Sequence, residues 1–259
     1  MPLRLAVIGK GGAGKSVIAG TLARLLARSG RPLLALDSDL LPGLALSLGA
    51  EQPSRPPLLD AAEQDESGRW RLKRGIGPAR AVARYSTAAP DGVRLLQAGK
   101  VDAEGLPPVI GAVNAYYQVI HRLKRAKTLR EWILVGDLPA GPRQTAFGWA
   151  PYADYFLIVV EPDWKSILTA RRLARIVSMQ QGVNVGAAAN KVSSANDLKL
   201  IGARLDLPLV ASVPADEAVR DAERAGAALI DATPAAPAAE AMRQLAGRLL
   251  TAGTLDRGG

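Results

Sequence analysis

The chain has 259 residues, of which 48% are hydrophobic and 22% are charged, with 33 basic residues, 24 acidic residues, one histidine and no cysteine. The length suits one large α/β domain, and the lack of cysteine excludes disulfides, thiolate zinc sites and cysteine-ligated iron–sulfur clusters. The net charge of +9 favours either a polyanionic partner or a surface that is generally rich in arginine.

The first elements of the chain form a predicted βαβ unit. Leu3–Ile8 is a short apolar strand, Val17–Leu26 carries apolar residues at helical spacing, and Gly30 ends that helix. Leu33–Leu36 forms the next strand, which leads to Asp37. Because the first strand passes straight into a glycine-rich loop, and because no apolar run is long enough to span a membrane, the sequence predicts a cytoplasmic protein.

Strands and helices alternate along most of the remaining chain. The further predicted strands are Val93–Gln97, Trp132–Val135, Tyr155–Val160, Val183–Ala189 and Leu209–Ser212. The further predicted helices are Val109–Arg125, Ile167–Gln180, Asn196–Leu205 and Ala238–Leu250. This alternation predicts an α/β fold with a doubly wound, mostly parallel sheet of about seven strands and helices on both faces.

One stretch interrupts this alternation. Residues 51–90 are rich in Pro, Arg and Gly, and only Arg69–Lys73 indicates a short strand. We expect this stretch to be an irregular insertion over the active-site face. The sequence therefore predicts a single domain over residues 1–252 that contains the insertion, followed by a flexible tail over residues 253–259.

The glycine-rich loop reads Gly9-Lys10-Gly11-Gly12-Ala13-Gly14-Lys15-Ser16 and matches the phosphate-binding pattern G-x-x-x-x-G-K-[ST]. Its glycines let backbone N–H groups point at phosphate oxygens, and the following helix offers its positive end to the same anion. Lys15 would reach the β- and γ-phosphates, and the Ser16 hydroxyl would bind Mg²⁺. The predicted ligands are therefore ATP and Mg²⁺, and the predicted nucleotide contacts are Gly9, Gly11, Gly12, Ala13, Gly14, Lys15, Ser16 and Val17.

A second lysine, Lys10, makes this loop more specific. The form G-K-G-G-x-G-K-[ST] resembles the deviant Walker A ATPases, which include the MinD and ParA types, nitrogenase-like reductases, arsenite-pump ATPases and metallocentre-insertion ATPases. In that class the early lysine crosses to the ATP of the partner subunit. The resemblance therefore implies an ATP-dependent homodimer in which Lys10 stabilises transition-state charge in trans, as an arginine finger does.

Carboxylates at the ends of two predicted strands would complete this site. Asp37-Ser38-Asp39 resembles the D-x-D of switch I in the same class, which implies that Asp37 acts near the metal and that Asp39 orients or deprotonates the attacking water. Asp137-Leu138-Pro139-Ala140-Gly141 resembles the D-x-P-x-G of switch II. Asp137 would then bind Mg²⁺ through a water molecule, and the N–H of Gly141 would sense the γ-phosphate.

Two later segments complete the predicted nucleotide pocket. Asn190 ends the strand Val183–Ala189, and in the resembled class an asparagine at this point hydrogen-bonds adenine; a turn or a helix cap is the alternative role. Val213–Asp216 follows the last strand, so we expect this segment, with Pro214, to flank the base.

Several segments outside these motifs resemble the CooC-type nickel-insertion ATPases of carbon monoxide dehydrogenase. They are Leu95–Val101, Val160–Pro162, Asn190-Lys191 and Val213–Arg220. Those ATPases typically carry a metal-binding Cys-x-Cys pair shortly after the first of these segments, where this chain has Glu104–Pro108. Nickel binding by that route is not possible here, and Asp102, Glu104 and His121 are the alternative ligands. The likeness supports an ATP-driven dimer that acts on a client protein, in metalloenzyme or complex maturation.

A further departure concerns switch I. The residues after Asp39 are Leu40–Gly43, where relatives often have Pro next and Asn or Ser shortly after. We therefore expect ATP hydrolysis to be slow and stimulated by a partner.

Two other functions remain open for an ATPase of this class. Nucleic-acid binding of the ParA type would use a basic patch formed by His121–Lys127, Arg130, Arg171, Arg172 and Arg175. Membrane recruitment of the MinD type would use the apolar side of Ala238–Leu250, although such a helix more often packs on the sheet.

Overall fold

The computed structural model of the chain describes residues 2–41, 43–100 and 106–255, and it describes no side chain between 106 and 108 or beyond 251. Two of the alternative nickel ligands, Asp102 and Glu104, lie outside the described residues. The last four residues of the predicted tail, 256–259, also lie outside them.

The strands fall close to the apolar runs of the sequence. In chain order they are β1 (Arg4–Gly9), β2 (Leu33–Asp37), β3 (Ala62–Gln64), β4 (Trp70–Leu72), β5 (Thr87–Ala88), β6 (Val93–Gln97), β7 (Ile133–Asp137), β8 (Tyr155–Val160), β9 (Asn184–Val192) and β10 (Leu209–Pro214). Each of the seven strands predicted for the sheet is present, with ends that differ by up to three residues.

The helices lie between these strands. In chain order they are α1 (Lys15–Ala27), α2 (Leu44–Leu48), α3 (Pro78–Tyr85), α4 (Leu106–Ile120), α5 (Pro142–Ala146), α6 (Trp164–Ser178), α7 (Ala195–Gly202), α8 (Glu217–Arg224), α9 (Leu229–Ala232) and α10 (Pro237–Leu255). Because α10 reaches Leu255, the first three residues of the predicted tail are helical.

The main sheet, within the described residues, has the strand order β10-β9-β8-β1-β7-β2-β6-β5. Seven of these strands are parallel, and the short edge strand β5 pairs antiparallel with β6. The doubly wound, mostly parallel sheet is therefore confirmed. Since later strands are added on both sides of β1, the loop after β1 lies at a reversal of strand order, where such sheets bind their ligands.

Helices cover both faces of this sheet because residues alternate between the faces along each strand. Ala6 and Ile8 of β1 face the core that contains α4 and α6. Leu5 and Val7 face the opposite core, which contains α1 and α10. Met242, Leu245 and Leu249 of α10 are buried in this second core, so this side of the helix packs on the sheet.

The predicted insertion contains more regular structure than expected. Strands β3 and β4 form an antiparallel hairpin, and α3 follows it. Trp70 of this hairpin packs so closely on α4 that a methyl group on Gly111 would lie 2.9 Å from the Trp70 ring. The hairpin is therefore held by α4, and the expected position over the active-site face stays a prediction.

A close approach also shapes the end of β7. A methyl group on Gly136 would overlap with the hydroxyl oxygen of Tyr152, a fully buried side chain in the segment before β8. Gly136 is therefore the residue that lets Tyr152 fit against the backbone beside Asp137.

We predict that Gly136→Ala lowers the free energy of unfolding by about 1–3 kcal/mol, because the added methyl group forces Tyr152 out of a packed core. The matched control is Gly247→Ala in α10, where an added methyl group meets no described atom within 4 Å. That substitution should raise stability by up to about 1 kcal/mol, because alanine favours a helix over glycine. Urea unfolding measures both values, and equal effects of the two substitutions would contradict the packing described here.

Candidate nucleotide and metal site

The loop between β1 and α1 has a backbone that demands glycine. Gly12 and Gly14 have φ angles of 79° and 88°, which belong to the left-handed region. A methyl group on Gly14 would also overlap with the Asn190 amide nitrogen, and one on Gly9 would lie 2.6 Å from the carbonyl oxygen of Val159 in β8. The loop therefore curls tightly against β8 and β9.

The loop ends where α1 begins. The first turn of α1, which is described in full, has no acidic residue and no side-chain cap, so the positive end of the helix faces the loop without a neutralising carboxylate. The buried Lys15 side chain curves back along the loop and donates a hydrogen bond to the carbonyl oxygen of Lys10 at 3.3 Å. This end of α1 presents the donors and the charge that a phosphate group needs.

Two buried carboxylates lie beside this loop. Asp37 ends β2, Asp137 ends β7, and the two residues are direct partners in the register of these parallel strands. Both side chains are at most 2% exposed. Because β2 and β7 are neighbours and both side chains point to the same face, the sequence-predicted metal ligands are brought together.

Burial raises the pKa of both carboxyl groups. Burial, followed by the nearby charge of Asp137, raises the pKa of Asp37 to about 8, although hydrogen bonds donated by the backbone of Asp39 and Leu44 oppose this effect. Burial also raises the pKa of Asp137 to about 6, against the stabilising effects of the Ser16 hydroxyl and the Lys15 charge. A bound cation would offset both penalties, because it favours the charged carboxylates.

The donor set fits a magnesium ion. The Oδ1 atom of Asp137 is buried and has no hydrogen-bond partner among the described residues. Within the same residues, no three or more His, Cys, Asp and Glu side chains converge as a metal site. Mg²⁺ does not need such a cluster, since it binds through one or two carboxylates and completes its shell with phosphate oxygens and water. Asp37, Asp137 and Ser16 would hold it, and the role of His121 as a metal ligand finds no support.

The other two switch residues lie next to this pair. Asp39 is half-buried, and its Oδ1 accepts a hydrogen bond from the N–H of Leu41 at 3.0 Å. The N–H of Gly141 donates to the carbonyl oxygen of Gly9 at 3.0 Å. The group predicted to sense the γ-phosphate therefore pairs with the phosphate loop in this structure, and it must leave that bond to reach a phosphate.

Lys10 is held by acidic residues of its own chain. Its Nζ lies 3.2 Å from a carboxylate oxygen of Glu161 and 3.1 Å from one of Asp163. Hydrogen bonding to Asp163, above all, and to Glu161 raises the pKa of Lys10, against the effect of burial. Lys191 joins this cluster, because its Nζ contacts the other Glu161 oxygen and the carbonyl oxygen of Gly12, both at 2.7 Å. The cluster connects the loop to the ends of β8 and β9.

Sequence reasoning missed the roles of Glu161 and Asp163. Both residues follow β8, and β8 is the neighbour of β1 in the sheet. That neighbour relation is not visible in the order of the segments along the chain.

An open cavity of about 530 Å³ lies on the other side of the loop. Its lining includes Gly12, Gly14, Lys15, Ser16, Val17, Asn190, Lys191, Pro214, Asp216, Glu217, Arg220 and Glu223. The cavity thus joins the phosphate loop to the two segments that were predicted to surround the base.

The polar residues of these segments also have local roles. The Asn190 amide donates to the carbonyl oxygen of Ala13 at 2.7 Å, so it supports the phosphate loop. Asp216 accepts hydrogen bonds from the N–H groups of Ala218 and Ala238 at 3.0 and 2.9 Å, and it therefore caps the start of α8 and of α10. Pro214 lines the cavity, and its place beside the base stays a prediction.

A phosphate loop at the centre of a parallel sheet, with paired carboxylates beside it, defines a P-loop nucleotide-binding protein. The family comparison agrees, since residues 5–230 match the CobQ/CobB/MinD/ParA nucleotide binding domain. The chain belongs to this family.

Relatives and solved structures extend this result. The carbon monoxide dehydrogenase accessory protein CooC of Rhodospirillum rubrum is 29% identical over 248 residues, which cover 90% of this chain and 91% of CooC. An uncharacterised ATP-binding protein of Methanocaldococcus jannaschii is 30% identical, with coverage of 94% and 86%. The septum site-determining protein MinD of Pyrococcus horikoshii, solved with Mg-ADP, shares the fold with a TM-score of 0.69, 20% identity and full coverage of both chains. The resemblance to MinD, ParA and CooC proteins is thus confirmed.

Within the described residues, none of the helices combines the length and the apolar character needed to cross a membrane.

We predict that the protein without nucleotide and magnesium becomes less stable as the pH rises from about 4 to 8. The folded-state pKa values of Asp37 and Asp137 are raised to about 8 and about 6, so the folded chain binds more protons than the unfolded chain in this window. Each group contributes a fall of at most about 1.4 kcal/mol per pH unit.

Urea unfolding in EDTA at several pH values tests this sign. Asp37→Asn should abolish the slope between about pH 6 and 8, where Asp37 alone contributes, and reduce it between about pH 4 and 6, where both groups contribute. The control Asp206→Asn changes an exposed aspartate and should leave the slope unchanged. A slope that Asp37→Asn does not alter would contradict the raised pKa of that carboxyl group.

Proposed function

We propose that this protein binds and hydrolyses Mg·ATP, and that ATP binding drives a dimer that acts on a client protein. The register pairing of Asp37 and Asp137 beside the phosphate loop carries this proposal. Burying two ionised carboxylates side by side costs free energy unless a bound cation offsets their charge. The family assignment supports nucleotide binding, while hydrolysis, dimerisation and the client are our inference.

The chain supplies each function that phosphoryl transfer to water requires. Backbone N–H groups of the loop and the charge of Lys15 bind the β- and γ-phosphates. Asp37, Asp137 and the Ser16 hydroxyl hold Mg²⁺, which when bound would offset the negative charge of the phosphates. Asp39 orients the attacking water or accepts its proton. The base occupies the cavity beside Asn190 and Pro214.

The dimer would complete the site through Lys10. In this structure Glu161 and Asp163 hold Lys10 on its own chain. These pairs are partly exposed, so each is weak and can be exchanged for a phosphate contact at low net cost. A second chain that approaches the loop would thus receive Lys10 in trans, and hydrolysis would release it. Lys10 and the N–H of Gly141 would both leave contacts within their own chain when ATP binds and return to them after hydrolysis. ATP turnover would therefore switch the protein between two states.

The client is a protein that prefers one nucleotide state, as linkage requires. The relation to CooC supports a metalloenzyme as the client, although a chain without cysteine offers no thiolate site for nickel. The Asp39→Ala variant held with ATP is the state in which to search for this client. A cytoplasmic location stays a prediction.

Nucleic-acid binding is a second candidate, favoured by the exposure of basic residues on one face of α6. Arg171, Arg172 and Arg175 are all exposed there. A steep dependence of DNA affinity on salt would support this function.

We predict that Lys15→Ala weakens nucleotide binding by about 10- to 100-fold, because it removes a charge-assisted hydrogen bond to the phosphates. Lys199→Ala changes an exposed lysine on α7 and is the matched control. Isothermal titration calorimetry with ADP and Mg²⁺ measures both. Unchanged affinity in Lys15→Ala would show that the loop does not bind phosphate in the proposed way.

We predict that Lys10→Ala still binds ATP but hydrolyses it about 10³-fold more slowly and does not dimerise, because the charge supplied in trans is missing. Phosphate release and analytical ultracentrifugation with ATP measure the two effects. Lys127→Ala, an exposed lysine before β7, serves as the control. Normal ATP-dependent dimerisation and turnover in Lys10→Ala would refute the cross-subunit role.

A further inference from the structure

Ser38 links the two metal-binding strands. It lies between Asp37 and Asp39, and its side chain is 1% exposed. Its N–H donates to the carbonyl oxygen of Asp137 at 3.0 Å, so the backbone of switch I is tied to the end of β7. The orientation of Ser38 therefore affects the carboxylates on both sides of it.

Tyr116 of α4 contacts Ser38 from the core that contains α4 and α6. The Tyr116 hydroxyl lies 2.8 Å from the Ser38 Oγ, and either atom can donate this hydrogen bond. The Tyr116 side chain is fully buried, and its ring packs near Trp149 with a centroid distance of 6.4 Å. A hydroxyl in this setting has few alternative partners, so the bond is directional and persistent.

Tyr152 provides an internal comparison. It is also fully buried, and its hydroxyl lies against Gly136, the residue before Asp137. Its hydroxyl, however, has no hydrogen-bond partner among the described residues. Both tyrosines are fully buried, and of the two only the Tyr116 hydroxyl bonds to Ser38.

We propose that Tyr116 is a positioning residue for the magnesium site and that it acts by holding Ser38. This inference rests on the proposed function. Without the Tyr116 hydroxyl, the Ser38 hydroxyl would be buried without a partner, which favours movement of residues 37–39 toward solvent. Such movement would separate Asp37 from Asp137 and weaken the cation site without any change in the phosphate loop. Substitution of a residue that holds a metal ligand in place, without binding the metal itself, typically changes metal affinity or activity by about 10- to 100-fold.

The test uses the full chain and four variants: Tyr116→Phe, Tyr152→Phe, Ser38→Ala and the double variant Tyr116→Phe/Ser38→Ala. Calorimetry gives the affinity for ADP in EDTA and then at increasing Mg²⁺ concentration. We expect Tyr116→Phe to keep the affinity in EDTA within about twofold and to require about tenfold more Mg²⁺ for half of the magnesium effect. Tyr152→Phe should match the unmodified chain in both measurements.

The double variant decides whether Tyr116 acts through Ser38. Its magnesium requirement should equal that of Ser38→Ala, because both single substitutions remove the same hydrogen bond. Thermal unfolding without nucleotide gives an independent measure, in which the two substitutions should be less than additive. Ser38→Ala removes the same hydrogen bond by deleting the Ser38 hydroxyl, so the test still gives an answer if Tyr116→Phe does not fold.

Several results would overturn the inference. The first is an equal magnesium requirement in Tyr116→Phe and Tyr152→Phe. The second is additive effects of Tyr116→Phe and Ser38→Ala on the magnesium requirement or on thermal unfolding. The third is a loss of ADP affinity in EDTA in Tyr116→Phe. An unmodified chain that binds no nucleotide would contradict the proposed function itself. Normal nucleotide binding with the same magnesium dependence in all variants would contradict only the role of Tyr116.

Discussion

The structure depends on two carboxyl groups that are buried side by side at the ends of neighbouring strands. Asp37 and Asp137 are paired in register, and burial raises the pKa of both. Such a pair destabilises the fold at neutral pH unless positive charge reaches it. The elements around it, which are the loop after β1, the Ser16 hydroxyl and the Lys15 ammonium, provide the surroundings in which a magnesium nucleotide can supply that charge.

The central position of β1 brings the remaining groups to the same place. Its neighbours β7 and β8 deliver Asp137 on one side and Glu161 on the other. Glu161 and Asp163 pair with Lys10, while the Gly9 carbonyl accepts a hydrogen bond from Gly141. Both groups that would respond to a γ-phosphate are thus engaged within the chain, so nucleotide binding and dimerisation would have to exchange existing contacts for new ones.

The sequence predicted the seven main strands and the loop because apolar runs and the glycine-lysine pattern are local signals. It also predicted Asp37 and Asp137, since carboxyl ends of parallel strands meet at one edge of the sheet. It could not reveal contacts that depend on strand order or on helix placement. The Lys10 pairs require β8 beside β1, and the Tyr116–Ser38 bond requires α4 packed against the segment that follows β2. Of the hairpin at Trp70, the sequence predicted only a short strand over Arg69–Lys73, which contains β4. Its partner β3 was missed because these strands are three residues long and derive their support from α4.

We infer that Mg²⁺ and a nucleotide together satisfy the charge of the buried carboxylates. Calorimetric titration of the unmodified chain with ADP at pH 7, with and without Mg²⁺, in buffers of different ionisation enthalpy tests it most directly. We expect saturable binding of about one nucleotide per chain, with a higher affinity when Mg²⁺ is present. We also expect Mg²⁺ to release protons, because Asp37 must lose its proton to bind the cation. If binding is the same with and without Mg²⁺ and releases no protons, or if folded protein binds no nucleotide, the carboxylates do not form a magnesium nucleotide site.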